Sequence, residues 1–277
     1  MREDIIRVLK NSDKALTIYE LQDKLAIDTV EETKNEVDLM REAGKVTAFV
    51  LKELEGFIKP GISTADIDKF VEDTIRKHGM IPSFKGLYGF PASACVSVND
   101  EVVHGIPDKK RKLREGDIVS VDTGATYKGY VSDAARTYAV GEVSDMAKKI
   151  MDAAKDSFFE GLKYCRPGCR LSDISHAIQV KAESEGFSVI RDFVGHGIGS
   201  DMHEDPQIPN FGKAGRGPRL AKGMVFAIEP MICEGGYEVM TLSNDWTVVT
   251  TDGKLSAHYE NTVVITDGEP ELLTLAE

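Results

Sequence analysis

Lys59-Pro-Gly61 recurs as Arg166-Pro-Gly168, and the interval of 107 residues between them holds at a series of further positions. It pairs Asp66-Ile67 with Asp173-Ile174, Gly79 with Gly186, Leu113 with Leu220 and Gly116 with Gly223, and it sets Asp122 against Glu229. A basic-Pro-Gly turn, an Asp-Ile pair and a glycine leading to a carboxylate, all in one frame, mark a duplicated chain, so the fold is built from two like halves. Each half has the same order: a long helix, a Pro-Gly stop, a second helix, then strands that carry acids. The first helix is expected from about residue 37 to Ile58, where Pro60-Gly61 stops it. Ser63-Thr-Ala-Asp66 reads as a capping box ahead of an amphipathic helix from Ile67 to His78. The second half predicts helices over about Met146 to Tyr164 and Ser172 to Glu185, with strands opening at Phe187. Helices on one side and mostly antiparallel strands on the other give an α+β architecture. Equivalent strands would bring one carboxylate from each half to a shared pseudo-two-fold axis.

Residues 1–36 lie outside the repeat and are expected to form a helical extension ahead of a domain over 37–277. Ile5, Leu9, Leu16, Leu21 and Leu25 suit two short amphipathic helices, and Ala15–Leu25 resembles part of a winged helix. Up to Asn35, however, six Lys or Arg stand against eight Asp or Glu. That balance points away from DNA and toward a packing or partner-docking role. The whole chain is acidic too, with 34 basic and 46 acidic residues and a net charge of −12, which opposes non-specific binding to nucleic acid or anionic membrane. The start Met1-Arg-Glu-Asp4 has no apolar signal core, and no stretch approaches the roughly 18 apolar residues of a membrane span. A cytoplasmic protein is expected. Its four cysteines, Cys95, Cys165, Cys169 and Cys233, are too sparse for a disulfide framework and read as thiols in a reducing compartment.

The strands carry the chemistry. Asp122 and Asp133 lie in Ile118–Ala125 and Gly129–Ala135, two strand-like runs joined by Thr126-Tyr-Lys-Gly129, a tight hairpin. With the turn centred between Tyr127 and Lys128, the two acids would face each other directly, Cβ atoms about 5 Å apart. Arg136 falls on the other side of the strand by parity, so a divalent cation is the simplest remedy for the repulsion. His196 sits in Gly195-His-Gly-Ile-Gly199, Glu229 ends Met224–Glu229 before Pro230, and Glu260 opens an apolar strand in Ala257–Val264. Each alone admits a structural explanation, but an acid buried on such a strand is costly unless paired or ligated.

Taken together, Val103-His-Gly-Ile-Pro107, the eleven-residue interval from Asp122 to Asp133, Gly195-His-Gly-Ile-Gly199 with His203, Ile228-Glu-Pro-Met231 and Tyr259-Glu260 resemble methionine aminopeptidases of the bacterial type I class. The resemblance spans about residues 37–270. Type II members carry an insertion between the histidine and the first glutamate, whereas only 33 positions separate His196 from Glu229. It implies a pita-bread fold of two pseudo-symmetric halves. It also implies a metal-dependent aminopeptidase that removes N-terminal methionine from peptides and newly made proteins by a metal-bridging hydroxide. The implied ligands of two divalent ions are Asp122, Asp133, His196, Glu229 and Glu260, with Asp133 and Glu260 bridging. Four carboxylates balance two such ions, and the oxygen-rich set with one imidazole suits Mn²⁺, Fe²⁺ or Co²⁺, with Zn²⁺ also compatible.

The same resemblance assigns proton transfer to Glu229, makes His203 a donor to the tetrahedral intermediate or the scissile amide, and places His104 against the substrate and its departing nitrogen. A soft, apolar methionine pocket would be formed by Phe84, Leu87, Phe90, Cys95, Met202 and Trp246. Leu87 and Met202 depart from the aromatics common in relatives, which suggests a reshaped pocket. His258, on the strand face of Glu260, is close enough in sequence to hydrogen-bond it, while His78 and His176 read as solvent-facing. Partners are peptide or nascent-chain N-termini, with the ribosome as a further candidate, and nothing in the sequence demands more than a monomer. The rivals are an Xaa-Pro aminopeptidase or prolidase of the same fold, which commonly has a large N-terminal domain, and a non-catalytic binding protein, which would be expected to have lost ligands.

Overall fold

Two helices followed by a run of antiparallel strands occur twice along the chain. The computed structural model describes residues 18–276, with side chains from Lys34 onward. The first half comprises α1 (Ile18–Phe57), α2 (Thr64–Lys77), β1 (Ile81–Pro82), a 3₁₀ turn (Leu87–Gly89), β2 (Ala94–Val98), β3 (Glu101–Val103), β4 (Ile118–Tyr127) and β5 (Tyr130–Ala139). The second begins with α3 (Asp145–Leu162), α4 (Leu171–Ser184), β6 (Ser188–Val189), β7 (Gly195–Gly197) and β8 (Glu204–Ile208). It continues through β9 (Val225–Ile228), β10 (Met231–Cys233), β11 (Val239–Thr241), β12 (Val248–Thr250), β13 (Ser256–His258), β14 (Asn261–Val264) and β15 (Glu271–Leu272). Every strand pairing among the described residues is antiparallel.

The duplication is visible bond by bond. Ser63 bridges Lys112 in the first half and Arg170 bridges Arg219 in the second, each position displaced by the same interval. Gly61 N donates to Leu113 O, as Gly168 N does to Leu220 O, and Leu113 N and Leu220 N return bonds of 2.9 Å to Ile62 O and Cys169 O. Gly61 and Gly168 both have φ of 93°, a left-handed conformation that explains why the residue after the proline is glycine in both copies. β1 and β6, and the starts of β4 and β9, obey the same offset.

The helices form for the reasons the sequence supplies. Ser63 Oγ accepts from Asp66 N while Ser63 N donates to the Asp66 carboxylate, so the expected capping box is complete and α2 starts directly after it. The apolar stripe of α1, including Val50, Leu51 and Leu54, packs with Ile67, Val71 and Ile75 of α2 on one face of the sheet β1-β4-β2, to which β5 adds through β4; Asp122 and Asp133 have the opposite parity and point from the other face. Ile150, Ala154 and Phe158 of α3 with Ile174 and Ile178 of α4 cover the second half in the same way, over Phe226, Ile228 and Ile232. The first helix begins earlier than the repeat suggested: α1 runs without a break from Ile18. The boundary placed at residue 36 therefore falls inside a helix, and residues 1–17 of the expected extension lie outside the described residues.

The hairpin register differs from the sequence expectation. Tyr127 pairs with Tyr130, so the turn is centred between Lys128 and Gly129, one residue later than read, and Asp122 lies opposite Ala135 while Asp133 lies opposite Gly124. The cause is local: Lys128 and Gly129 have φ of 49° and 89°, and positive φ at both central residues is the requirement of a type I′ turn. Asp122 and Asp133 keep to one face of the sheet because a shift of both partners preserves parity, but they are diagonal neighbours and not a directly facing pair.

Candidate metal centre

Four strands and two short connections deliver the acids and imidazoles of the centre to one place. Asp122 projects from β4 and Asp133 from β5, His196 from β7, Glu229 joins β9 to β10, and His258 and Glu260 flank the step from β13 to β14. β7 is squeezed between β8 and β9, and this explains the Gly-His-Gly sequence. A Cβ on Gly195 would lie 2.5 Å from Ala227 O, and one on Gly197 would overlap the carbonyl of Asp205. Only His196 has room for a side chain, and it enters the cleft. The two halves are stitched beside it, since Asp133 N donates to Thr262 Oγ1 (2.9 Å) and Thr262 Oγ1 donates to Asp133 O (2.8 Å). Glu260 N donates to Ala135 O (3.0 Å), and Arg136 holds Glu260 O and Asn261 Oδ1 from the far face.

The tautomer of His196 is fixed. Its Nδ1 lies 2.9 Å from Gly197 O, which can only accept, so Nδ1 carries the proton and Nε2 presents a lone pair. That lone pair faces Glu229 Oε1 at 3.6 Å and Asp133 Oδ2 at 3.8 Å, an arrangement of acceptors that is repulsive unless a cation lies among them. Asp122 Oδ1, Asp133 Oδ1 and Glu260 Oε1 are buried with no hydrogen-bond donor. Ligand atoms of Asp133, His196 and Glu260 fall within 4.8 Å of one another, as do those of Asp122, His258 and Glu260. Burial, reinforced by the neighbouring anions, pushes the Asp122, Glu229 and Glu260 carboxyls well above their ordinary range, and burial raises Asp133 to about 7. Four crowded carboxylates, a neutral imidazole with its lone pair inward and orphaned oxygens fit hard divalent cations.

The centre forms the wall of a cleft of about 610 Å³. Three of the six histidines line it. Burial lowers His104 and His196 to about 4 and also lowers His203, so all three are neutral at physiological pH. His203 lies with its ring 4.4 Å from that of His196. His104 is held with φ of 58° and edges against Phe193 and Trp246. Phe84, Leu87, Phe90, Cys95 and Trp246 line the cleft, and burial beside Asp122 keeps the Cys95 thiol protonated. Met202 lies behind this wall, buried in the same apolar cluster, and does not line the cleft. His78 and His176 are exposed and outside the cleft lining, each with Nδ1 on a backbone carbonyl.

Residues 38–267 match the model of metallopeptidase family M24. The chain belongs to this family. As an M24 metallopeptidase it is 59% identical over 242 residues to the methionine aminopeptidase of Clostridium acetobutylicum, which covers 87% of this chain and 97% of that protein. The solved methionine aminopeptidase of Thermotoga maritima superposes with a TM-score of 0.86 at 47% identity, covering 87% and 97% of the two chains. An Xaa-Pro dipeptidase from Bacillus anthracis shares the fold at greater distance, with a TM-score of 0.71, 25% identity and 61% of its own length covered.

Tyr88, an exposed cleft residue at φ of 50° whose ring stacks 5.7 Å from that of His203, carries no signal in the sequence. Phe193 and Gln207 are also in the cleft wall of this M24 chain. No local pattern distinguishes them from ordinary loop and strand residues. His258 was paired with Glu260 by strand parity, but its approach to Glu229 was not visible.

Proposed function

We infer that this chain is a metal-dependent methionyl aminopeptidase, hydrolysing the bond after an N-terminal methionine. The observation that carries the reading is a buried, donor-starved cluster of carboxylates and one oriented imidazole beside an apolar cleft, in a chain matched over nearly the full length of a methionine aminopeptidase. Asp122, Asp133, His196, Glu229 and Glu260 are the proposed ligands of two divalent ions, with Mn²⁺, Fe²⁺ or Co²⁺ the preferred identities. Such ions would supply a nucleophile at neutral pH and polarise the scissile carbonyl.

The chain's own groups do the rest. Phe84, Leu87, Phe90, Cys95 and Trp246 give a wall of low polarity that a thioether side chain fills by dispersion and sulfur–aromatic contact. Met202 supports that wall from behind. His203, neutral and facing the cleft, donates to the carbonyl oxygen as it gains charge. His104 donates to the substrate and to the departing nitrogen, and Glu229 moves the proton between the attacking water and the amine.

Substrates in this reading are peptides and newly made proteins beginning with methionine and a small second residue. The four cysteines are free thiols, in keeping with a reducing cytoplasm, and no helix among the described residues is long and apolar enough to cross a membrane. A monomer acting on nascent chains near the ribosome is the proposed setting. The test is chelation followed by re-addition of single metals, with Met-Ala-Ser and Ala-Pro peptides assayed in parallel. Metal-dependent release of methionine is expected; cleavage of the Ala-Pro peptide alone would move the chain to the Xaa-Pro side of the family.

A further inference from the structure

Glu229 is bracketed by two imidazoles. Its Oε1 lies 3.6 Å from His196 Nε2, on the side of the proposed ions, and its Oε2 lies 3.8 Å from His258 Nε2. His258 Nε2 is also 3.7 Å from Glu260 Oε2, is fully buried, and has no hydrogen-bond partner. The ring reaches this position on a rigid mount. His258 N donates to Thr137 Oγ1 and His258 O accepts from it, both at 2.9 Å, while Met231 pairs with His258 across the β10–β13 ladder.

We propose that His258 is a positioning residue of the centre: its Nε2–H serves Glu229 Oε2, the oxygen turned from His196, and Glu260 Oε2, and so sets the rotation of both carboxylates. This rests on the metallopeptidase reading above. Ligand atoms of Asp122, His258 and Glu260 also lie within 4.8 Å of one another, so the role of donor is set against that of a sixth ligand in the test below. The space before His258 Nε2 is bounded by carboxylate oxygens, which can only accept, and what the cluster lacks is N–H groups. His196 already places a lone pair on the Oε1 side of Glu229, which leaves Oε2 as the oxygen free to receive a hydrogen bond. A fixed donor of this kind holds a ligating carboxylate in one orientation, and its loss typically costs ten- to a hundredfold in metal affinity.

The experiment is calorimetric titration of the chelated full-length protein with Mn²⁺, and with Co²⁺ while its visible absorption is followed. Wild type, His258→Ala and His258→Gln are compared, with circular dichroism of each metal-free protein as the folding control. Glutamine keeps an N–H donor at a similar reach but is a poor ligand for these ions. H258Q is expected to bind within about threefold of wild type with an unchanged Co²⁺ spectrum, and H258A to bind about 10- to 100-fold more weakly. Wild-type affinity in H258A overturns the proposal, as does an H258Q variant that loses affinity like H258A and shifts the Co²⁺ bands, since that marks a direct ligand. Failure of the wild type itself to bind either ion would sink the metallopeptidase reading instead.

Discussion

One hydrogen bond, from His196 Nδ1 to Gly197 O, decides what that imidazole can do, because it leaves the only lone pair of the ring facing two carboxylates. His203 stands beside it with no comparable anchor, its ring 4.4 Å from that of His196 and 5.7 Å from that of Tyr88. Its proposed work is done only as charge develops on the substrate. His203→Ala is therefore expected to lower kcat by about 10²-fold or more while KM changes by less than about threefold. Steady-state kinetics on a Met-initiated peptide measure this, and an unchanged kcat would remove His203 from the reaction. The sequence supplied the residue types and the spacing of these groups. It could not supply the tautomer, which depends on where the Gly197 carbonyl points.

At the scale of elements, the β4–β5 hairpin holds two of the acids, and its turn is closed by a lysine in left-handed conformation. A residue with a Cβ pays about 1–2 kcal/mol for that geometry, and asparagine less. Lys128→Asn, which creates the Asn-Gly pair favoured by type I′ turns, is expected to stabilise the protein by about 0.5–1 kcal/mol without altering kcat/KM. Urea unfolding checks it, a lower midpoint counting against the register described. Helix α1 offers a second test, because the proposed extension and the domain share it. Tyr130 Oη donates to Glu36 and Arg41 pairs with Glu271, which ties the helix to the sheets of both halves. Deleting residues 1–33 keeps both contacts and is expected to leave peptidase activity within about twofold. A folded truncation without turnover would show that the extension takes part.

At the scale of the whole molecule, the centre stores electrostatic cost that metal ions would relieve. The four carboxyls have folded-state pKa values raised above those of the unfolded chain, Asp133 to about 7 and the others well above their ordinary range. Groups of this sign favour the fold at low pH and lose that contribution as pH rises through the folded value. The neutral histidines have lowered values, so their contribution is complete above about pH 6.5 and declines only below it. Between about pH 6.5 and 8.5 the histidine contribution is thus constant and the carboxylate contribution falls. Chelated protein is expected to lose thermal stability steadily across that window, and Mn²⁺ to raise its Tm and flatten the slope. Scanning calorimetry with and without metal tests this; a Tm independent of pH and metal would mean that the four acids do not share a centre.

The amino-acid sequence determined the duplication, the helices with their caps, and the identity of the acids, because each is written in local spacing: a recurring Pro-Gly turn, a capping box, apolar stripes and glycines beside a histidine. Tertiary structure alone decided the rest. The Lys128-Gly129 turn moved the hairpin register by one pair, α1 runs through the position where the repeat begins, and Met202 went behind the cleft wall while Tyr88 came to its mouth. His258 met Glu229 for the same reason. Local rules fix which face of a strand a side chain occupies, whereas distances across separate strands depend on how the two halves close around their common axis.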